Sequence, residues 1–130
     1  MNSKAVQRGA VAESSVCTWA LKQGYLVLFP ARGLAPHYDL AIDNGVSISK
    51  VQVKRAHVRY DRRTPQLRAN LTDGDGSTYD SVDAVAIVDV DTDRIWLIPM
   101  MFIRGQKTIG LQSGRYDAWL VQCGQTDYPS

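Results

Sequence analysis

Four side chains that could bind a divalent cation and act on a phosphate occur in the first half of the chain. They are a glutamate in a helical pattern, an aspartate in an extended segment, and a glutamine and a lysine separated by one residue: Glu13, Asp39, Gln52 and Lys54. Carboxylate and amide oxygens are ligands suited to a hard cation such as Mg²⁺. An ammonium group can orient a hydroxide and stabilise negative charge that develops on a phosphate. The backbone carbonyl of Val53 is a further candidate ligand.

Glu13 is the only glutamate of the chain, and the sequence places it within an apolar helix stripe. The predicted stripe consists of residues three and four apart: Val6, Ala10, Cys17, Ala20 and Leu21. Burial of an unpaired carboxylate is unfavourable, so Glu13 should have a cation, a basic partner or a raised pKa. The alternative is a carboxylate at the edge of the stripe that reaches water or pairs with Lys22 or Arg8.

Asp39 and the Gln52-x-Lys54 pair are predicted to lie on the two strands of one hairpin. Residues 38–42 alternate in polarity, which indicates a strand with Asp39 on the side opposite its large apolar residues. Asp-Asn-Gly at 43–45 is a strong hairpin turn. In the following strand, Gln52 and Lys54 share one side, so both can point at a ligand that Asp39 holds. The first half of that strand is out of phase with the second, which predicts a bulge or a strand covered on both faces.

The remaining segments predict an α/β fold with one mixed sheet preceded by a helix, in a single domain of residues 1–130. The helix covers residues 3–23 and is ended by Gly24. A nearly continuous apolar run at 82–90 indicates a strand buried on both faces. The other predicted elements are strands at 25–29 and 94–98, loops at 31–36 and 72–80, a helical turn at 100–103, a short strand at 108–111 and an element of either type at 116–121.

Charge is segregated along the chain although the net charge is only +2. Residues 50–68 hold seven basic side chains and one acid, whereas residues 73–93 hold seven aspartates and no basic residue. A basic block next to a cation site would hold a polyanion where chemistry occurs, because phosphate contacts supply most non-specific affinity for nucleic acid. The alternative is a solvated loop. The predicted DNA-binding residues are Arg55, Arg59, Arg62, Arg63 and Arg68 on the phosphate backbone, with Tyr60 and Gln66 as base or sugar contacts.

Several classes of protein are disfavoured by what the sequence lacks. The N-terminus has no apolar stretch typical of a secretory signal, and no segment approaches the roughly 18 apolar residues that a membrane helix needs. Cys17 and Cys123 form neither a C-x-x-C pair nor a disulfide framework. No G-x-S-x-G, Walker or dinucleotide-binding signature occurs. We therefore expect an intracellular protein of bacterial or phage type, without a membrane partner.

The four candidate residues resemble the motifs of the PD-(D/E)XK nuclease superfamily, over about residues 9–98. Residues 9–13 resemble the helix that carries the family's acid, Asp39 resembles its metal-binding aspartate, and Gln52-x-Lys54 resembles its third motif. Two positions depart from the family's pattern. Gln52 stands where most members have Asp or Glu, and the proline usual before the metal-binding aspartate is Pro36, three residues away. The pattern is most similar to a small bacterial intron-encoded homing endonuclease with a Gln-x-Lys third motif.

The resemblance implies a restriction-endonuclease-like domain that cleaves DNA with Mg²⁺, for which Mn²⁺ can substitute. Glu13, Asp39, Gln52 and Lys54 would be catalytic, with the first three and the Val53 carbonyl as metal ligands. The implied reaction is site-specific double-strand cleavage of homing type by a homodimer or homotetramer. A Holliday-junction resolvase and a restriction-type nuclease share this core. A catalytically inactive DNA-binding module of the same fold is the alternative from another class, because Gln52 replaces an acid.

Overall fold

The computed structural model describes residues 3–31, 38–72 and 81–124, with side chains from residue 7 onward except that of residue 8. Pro36 and nearly all of the loops predicted at 31–36 and 72–80 lie outside the described residues. No helix in the described segments combines the length and the apolar content that a bilayer crossing needs.

The first element is the predicted helix, α1, which covers Ser3–Lys22. It ends because Gly24 adopts a φ of 83°, and the Tyr25 amide then donates to the Ala20 carbonyl at 3.0 Å. Its buried face differs from the predicted stripe. Ala10 and Leu21 are exposed and Cys17 is half-buried, whereas the buried residues are Ala12, Val16, Trp19 and Ala20.

The buried face is rotated because the Trp19 ring, which packs edge-on against Tyr25 at a centroid distance of 5.9 Å, is the largest apolar group that the helix can bury. Glu13 consequently lies at the edge of the buried face rather than in its middle. It is half-buried.

In the described residues, nine strands follow and form two sheets. A six-stranded sheet has the order β1-β2-β3-β6-β7-β9, and a three-stranded sheet has the order β4-β5-β8. All described pairs are antiparallel except β3 with β6. The strands are β1 Leu26–Leu28, β2 Leu40–Asp43, β3 Ile48–Arg55, β4 His57–Asp61, β5 Thr64–Asn70, β6 Ala84–Asp89, β7 Arg94–Pro99, β8 Thr108–Gly110 and β9 Leu120–Cys123.

The predicted α/β class and mixed sheet are confirmed, and several elements agree with the sequence patterns. All six residues of β6 are buried, as expected of a strand covered on both faces. A 3-10 turn at Met100–Phe102 and β8 match the short elements predicted after residue 100. The ambiguous segment at 116–121 contains both types of structure, a 3-10 turn at Asp117–Trp119 followed by β9.

Two hydrophobic cores lie on opposite faces of the six-stranded sheet. One is packed under α1 and includes Val16, Leu40 and Val51. The other lies between the two sheets and includes Ile87, Trp96, Leu67, Ile103 and Ile109. β3 contributes Val51 and Val53 to the core under α1, and Gln52 on the other face of the strand is also buried. The strand is thus covered on both faces only at these three residues, whereas Ile48 in its out-of-phase first half is exposed.

The position of β3 is fixed by its parallel partner. The Asp83 carboxylate accepts the Lys50 amide at 2.8 Å, and the Asp83 amide donates to the Lys50 carbonyl at 2.9 Å. At the other end, the Ala56 amide donates to the Val88 carbonyl at 2.7 Å. The strand that carries Gln52 and Lys54 is thus hydrogen-bonded at both ends of its pairing with β6, which makes it a rigid platform.

The basic block forms a hairpin of β4 and β5 that lies within the crossover from β3 to β6. Asp61 pairs with Thr64 across a two-residue turn of Arg62 and Arg63, whose φ values are 49° and 71°. Such a turn normally uses Asn-Gly, because side chains other than glycine are strained at positive φ. The alternative of a solvated, irregular loop is wrong for residues 57–70.

The two faces of this hairpin differ in chemistry. The register pairs His57 with Arg68 and Arg59 with Gln66 on one face, which we call the outer face. The other face pairs Val58 with Leu67, and Leu67 belongs to the core between the sheets. The face with Leu67 therefore packs on the rest of the protein. The outer face of this hairpin, which we call the ribbon, presents polar and basic side chains.

Replacement of the turn residues Arg62 and Arg63 by Asn and Gly should stabilise the protein. The substitution relieves positive-φ strain at two positions, and we expect the free energy of unfolding to rise by about 1–2 kcal/mol. Urea denaturation with an unchanged m-value measures this. Lys50→Asn, which lies outside any positive-φ position, serves as the control. A double variant no more stable than the native turn would contradict the strain argument.

Candidate active site

Asp39 lies where β2 separates from β3, and its carboxylate replaces the missing strand partner. Pairing of the two strands ends at Leu40 and Val51. The Asp39 amide still donates to the Val51 carbonyl at 2.9 Å. The Oδ2 atom of Asp39 accepts the amide of Val53, two residues further along β3, at 2.8 Å. The carboxylate is therefore held at the edge of β3 by a backbone donor, next to the Gln52 and Lys54 positions.

Glu13 approaches Asp39 from the helix side. Burial raises the pKa of the Glu13 carboxyl, and the nearby Asp39 carboxylate raises it further. Burial also raises the pKa of Asp39, and the Val53 amide and the Lys54 ammonium oppose that rise in part. The two acids are thus close enough to repel each other, as expected for a pair that shares a cation. Of the three outcomes expected for a buried Glu13, a raised pKa is the one found, although Glu13 lies at the edge of the buried face as in the alternative.

Lys54 approaches Asp39 from the other side of the sheet. Val51 and Val53 pack with α1, so the alternating residues Gln52 and Lys54 face the opposite side of β3. The Lys54 Nζ donates to the Thr72 carbonyl at 3.1 Å. Gln52 and Lys54 share one side as predicted, but Glu13 reaches the centre from the opposite side. Glu13 and Lys54 both lie near Asp39, at the point where the pairing of β2 with β3 ends.

Gln52 is the fourth predicted residue, and it is almost completely buried, with 9% of its surface exposed. It shares the Lys54 side of β3 and is flanked by Val53, whose amide Asp39 accepts. The position of its amide oxygen is therefore restricted by burial and by the pairing of β3. Its role as a ligand, and that of the Val53 carbonyl, stay predictions.

The donor set fits a hard divalent cation. Burial raises the pKa of both carboxyls, the Asp39 carboxylate raises that of Glu13 further, and a cation between the two acids would remove this unfavourable interaction. Among residues 3–31, 38–72 and 81–124, no group of three or more His, Cys, Asp or Glu side chains could hold a metal. This agrees with a set that has only two acids and that would take its other oxygens from an amide and the backbone.

The structure divides the predicted DNA-binding residues into different environments. Arg59, Arg62 and Arg63 are exposed on the ribbon, and Arg59 shares the outer face with Gln66 and Arg68. Tyr60 is 71% exposed but lies on the opposite face of β4. Arg55 is half-buried on the helix side of β3, and its Nε is buried without a partner among the described residues.

Two residues near the site were missed by the sequence interpretation. Thr72 supplies the carbonyl that accepts the Lys54 ammonium, and the Asn70 side chain accepts both the Thr72 amide and the Thr72 hydroxyl, at 3.0 and 2.7 Å. Asn followed two residues later by Thr is a pattern that favours such local bonds. That signal gives the turn but not its contact with Lys54.

Comparisons with known proteins agree with this geometry. Residues 1–125 match the family described as PD-(D/E)XK endonuclease, and the chain belongs to that family. In structure it is similar to a bacterial homing endonuclease, I-Ssp6803I, with a TM-score of 0.72 and 23% sequence identity over 93% of this chain and 88% of the other. That likeness shows a restriction-endonuclease-like fold. No curated protein matches the sequence.

Glu13→Gln should stabilise the cation-free protein at neutral pH. A carboxyl whose pKa is raised by folding binds its proton more tightly in the folded state, so stability falls as pH rises from the ordinary carboxyl range through the raised pKa. We expect the variant to melt roughly 1–2 °C above wild type at neutral pH, a small effect because solvent screens this half-exposed group.

Thermal unfolding across pH measures this effect, and the difference between the two proteins should vanish near the ordinary carboxyl pKa of about 4. Millimolar Mg²⁺ should raise the melting temperature of wild type more than that of Glu13→Gln. Asp43→Asn, at a carboxylate in the β2–β3 turn, is the matched control. Equal responses of all three proteins to Mg²⁺ would contradict a cation site at Glu13.

Proposed function

We propose that the protein is a Mg²⁺-dependent DNA endonuclease that makes site-specific double-strand cuts of the homing type. The observation that carries the proposal is the arrangement at Asp39, which Glu13 and Lys54 approach from opposite sides of the sheet. Membership of the PD-(D/E)XK endonuclease family supports the reaction class. The printed description of the structural neighbour as a homing endonuclease supports the subtype.

Each residue has a role that follows from its charge and placement. Glu13, Asp39 and Gln52, with the Val53 carbonyl, would hold the cation, and Mn²⁺ would substitute for Mg²⁺ at the same oxygens. The cation, when bound, supplies neutralisation of phosphate charge and makes water more acidic. Lys54 would orient the attacking water and stabilise the charge that builds on the phosphate in the transition state.

The outer face of the ribbon would bind the DNA duplex and position it at the site. Arg59 and Arg68 flank Gln66 on that face, and an antiparallel two-stranded ribbon has the width to enter the major groove. Arg62 and Arg63 at the tip would contact backbone phosphates. Arg55 lies on the helix side of β3, so it would contact the phosphate nearest the acids rather than the duplex along the ribbon.

Double-strand cleavage at one site needs two centres, so we propose that the protein acts as a homodimer or homotetramer. A long asymmetric target, selected from a random duplex library, would favour the homing reaction. A short palindrome would favour a restriction-type nuclease, and preference for a four-way junction a Holliday-junction resolvase.

The second candidate function is a DNA-binding module without catalysis. The specific observation in its favour is Gln52, a neutral residue at the position where most of the superfamily has an acid. Such a module would bind duplex DNA with salt dependence and show no Mg²⁺-dependent turnover.

Asp39→Asn and Lys54→Ala should each lower cleavage of duplex DNA in Mg²⁺ by at least about 100-fold, because each removes charge that the reaction requires. Asn at position 39 retains an oxygen that can accept the Val53 amide, so the fold should be retained. Single-turnover cleavage of a plasmid or of a selected duplex measures the effect.

Two matched variants control for charge at neighbouring positions. Asp43→Asn removes a carboxylate from the turn after β2, and Lys50→Ala removes an exposed ammonium from the same side of β3 as Lys54. Both should cleave like wild type. Cleavage by Asp39→Asn or Lys54→Ala at the rate of these controls would refute the assigned centre.

Arg59→Ala and Arg68→Ala should weaken binding to duplex DNA in a salt-dependent manner. Each lost phosphate contact is expected to reduce the slope of log Kobs against log salt by about 0.9. Gln66→Ala should leave the slope unchanged and relax base preference at one position. Fluorescence anisotropy in EDTA at several salt concentrations measures both, with Lys22→Ala on α1 as a charge-matched control. Identical slopes for Lys22→Ala and the ribbon variants would contradict the proposed surface.

A further inference from the structure

Lys54 donates a hydrogen bond to a backbone carbonyl that directly follows a strand of the other sheet. Its Nζ donates to the Thr72 carbonyl at 3.1 Å, and Thr72 follows β5 of the three-stranded sheet. A lysine side chain has four rotatable bonds and a large rotamer entropy, so an acceptor at a fixed position restricts where its ammonium can lie. The Thr72 carbonyl is therefore one of the contacts that restrict where the ammonium lies.

The Thr72 carbonyl is in turn fixed by Asn70. The Oδ1 of Asn70 accepts the Thr72 amide at 3.0 Å and the Thr72 hydroxyl at 2.7 Å. Two bonds from one side chain to the residue two positions ahead close a tight turn and set the direction of the peptide that follows. Their loss would remove two of the contacts that hold the Thr72 peptide in place.

Asn70 itself is anchored in the sheet. It is the last residue of β5 and pairs with Thr108 in β8. The next residue, Leu71, is 4% exposed in the core between the sheets, and its amide donates to the Lys107 carbonyl at 2.8 Å. The backbone is therefore held in place up to Leu71. The two hydrogen bonds to the Asn70 side chain also hold Thr72.

We infer that Asn70 is a positioning residue for Lys54, acting through the Thr72 carbonyl. The inference rests on the proposed function, because it assigns the lysine a part in cleavage. Asn70 has the same alternation as Gln66 and Arg68, so the strand that presents the outer face to DNA ends in the turn that holds the catalytic ammonium. Under the proposed function, β5 therefore positions both the DNA duplex and the Lys54 ammonium.

Asn70→Ala should lower kcat for duplex cleavage by about 10- to 100-fold, because displacement of a catalytic group by about 1 Å has effects of that size. KM should change less than about threefold, since Asn70 is not assigned to substrate binding. Asn70→Asp keeps an oxygen at the same place for both donors, so it should restore most of kcat while its added charge raises KM.

Asn44 offers a matched control, because its Oδ1 accepts two backbone amides, those of Val46 and Ser47, each at 2.9 Å. Asn44→Ala therefore removes the same kind of turn in the β2–β3 hairpin, and its kcat should equal that of wild type. Asn70→Ala in a Lys54→Ala background should cause no further loss, since a residue that acts through Lys54 has nothing left to position. Equal kcat values for Asn70→Ala and Asn44→Ala, or additive losses in the double variant, would overturn the inference.

A measurement without DNA tests the same contact independently of activity. The Lys54 side-chain nitrogen resonance, assigned by its disappearance in Lys54→Ala, should shift in Asn70→Ala and stay unchanged in Asn44→Ala. An unchanged resonance in Asn70→Ala would overturn the inference whatever the cleavage rates. If wild type fails to cleave DNA although the resonance shifts, the proposed function fails and the positioning contact stands.

Discussion

The hydrogen bond from the Val53 amide to the Asp39 carboxylate is the interaction on which the candidate site depends. A strand edge with a buried, unpaired amide is unfavourable, and the carboxylate satisfies that amide where β2 stops pairing. The same bond fixes the carboxylate beside β3, at the end of the pairing of that strand with β2. Glu13 from the helix face and Lys54 from the opposite face both interact electrostatically with this carboxylate.

Electrostatics and geometry at this point support each other. Burial raises the pKa of both acids, and the Asp39 carboxylate raises that of Glu13 further, so the cation-free protein holds an unfavourable charge arrangement that a cation would relieve. Lys54 offsets part of that cost at Asp39 while it is itself bonded to the Thr72 carbonyl. The groups of the candidate site thus come from α1, from the six-stranded sheet and from the turn after β5. None of these elements alone contains the complete set.

The sequence predicted those features that depend on local pattern. The helix at 3–22, the hairpin turn at 43–45, the doubly covered strand β6 and the alternation of Gln52 and Lys54 against Val51 and Val53 all follow from periodicity or turn chemistry. The order Glu13, Asp39, Gln52 and Lys54 identified the family that the comparison then confirmed.

Other features were beyond sequence reasoning for identifiable reasons. Apolar residues occur on most faces of α1, so the packing of Trp19 against the sheet decided which face is buried. All five residues of β4 are exposed and its turn consists of two arginines, so neither hydrophobic alternation nor turn residues marked the hairpin. The meeting of Glu13 and Lys54 from opposite sides depends on where β2 ends, which is a property of the tertiary structure.

The crossover from β3 to β6 has a consequence for how such a protein can change over evolutionary time. Parallel neighbours require a long connection, usually a helix, and here the connection contains the basic ribbon. The free energy of closing a loop depends only weakly on its length, so changes at the exposed β4–β5 turn should be tolerated. Leu67, Asn70 and Thr72 of the same connection are more constrained, because they pack in the core or form the contacts beside Lys54. The exposed tip of the hairpin can therefore diversify at little cost to the strands that carry the candidate site. Under the proposed function, a change in a short continuous stretch of sequence would be enough to alter the contacts of this tip with DNA.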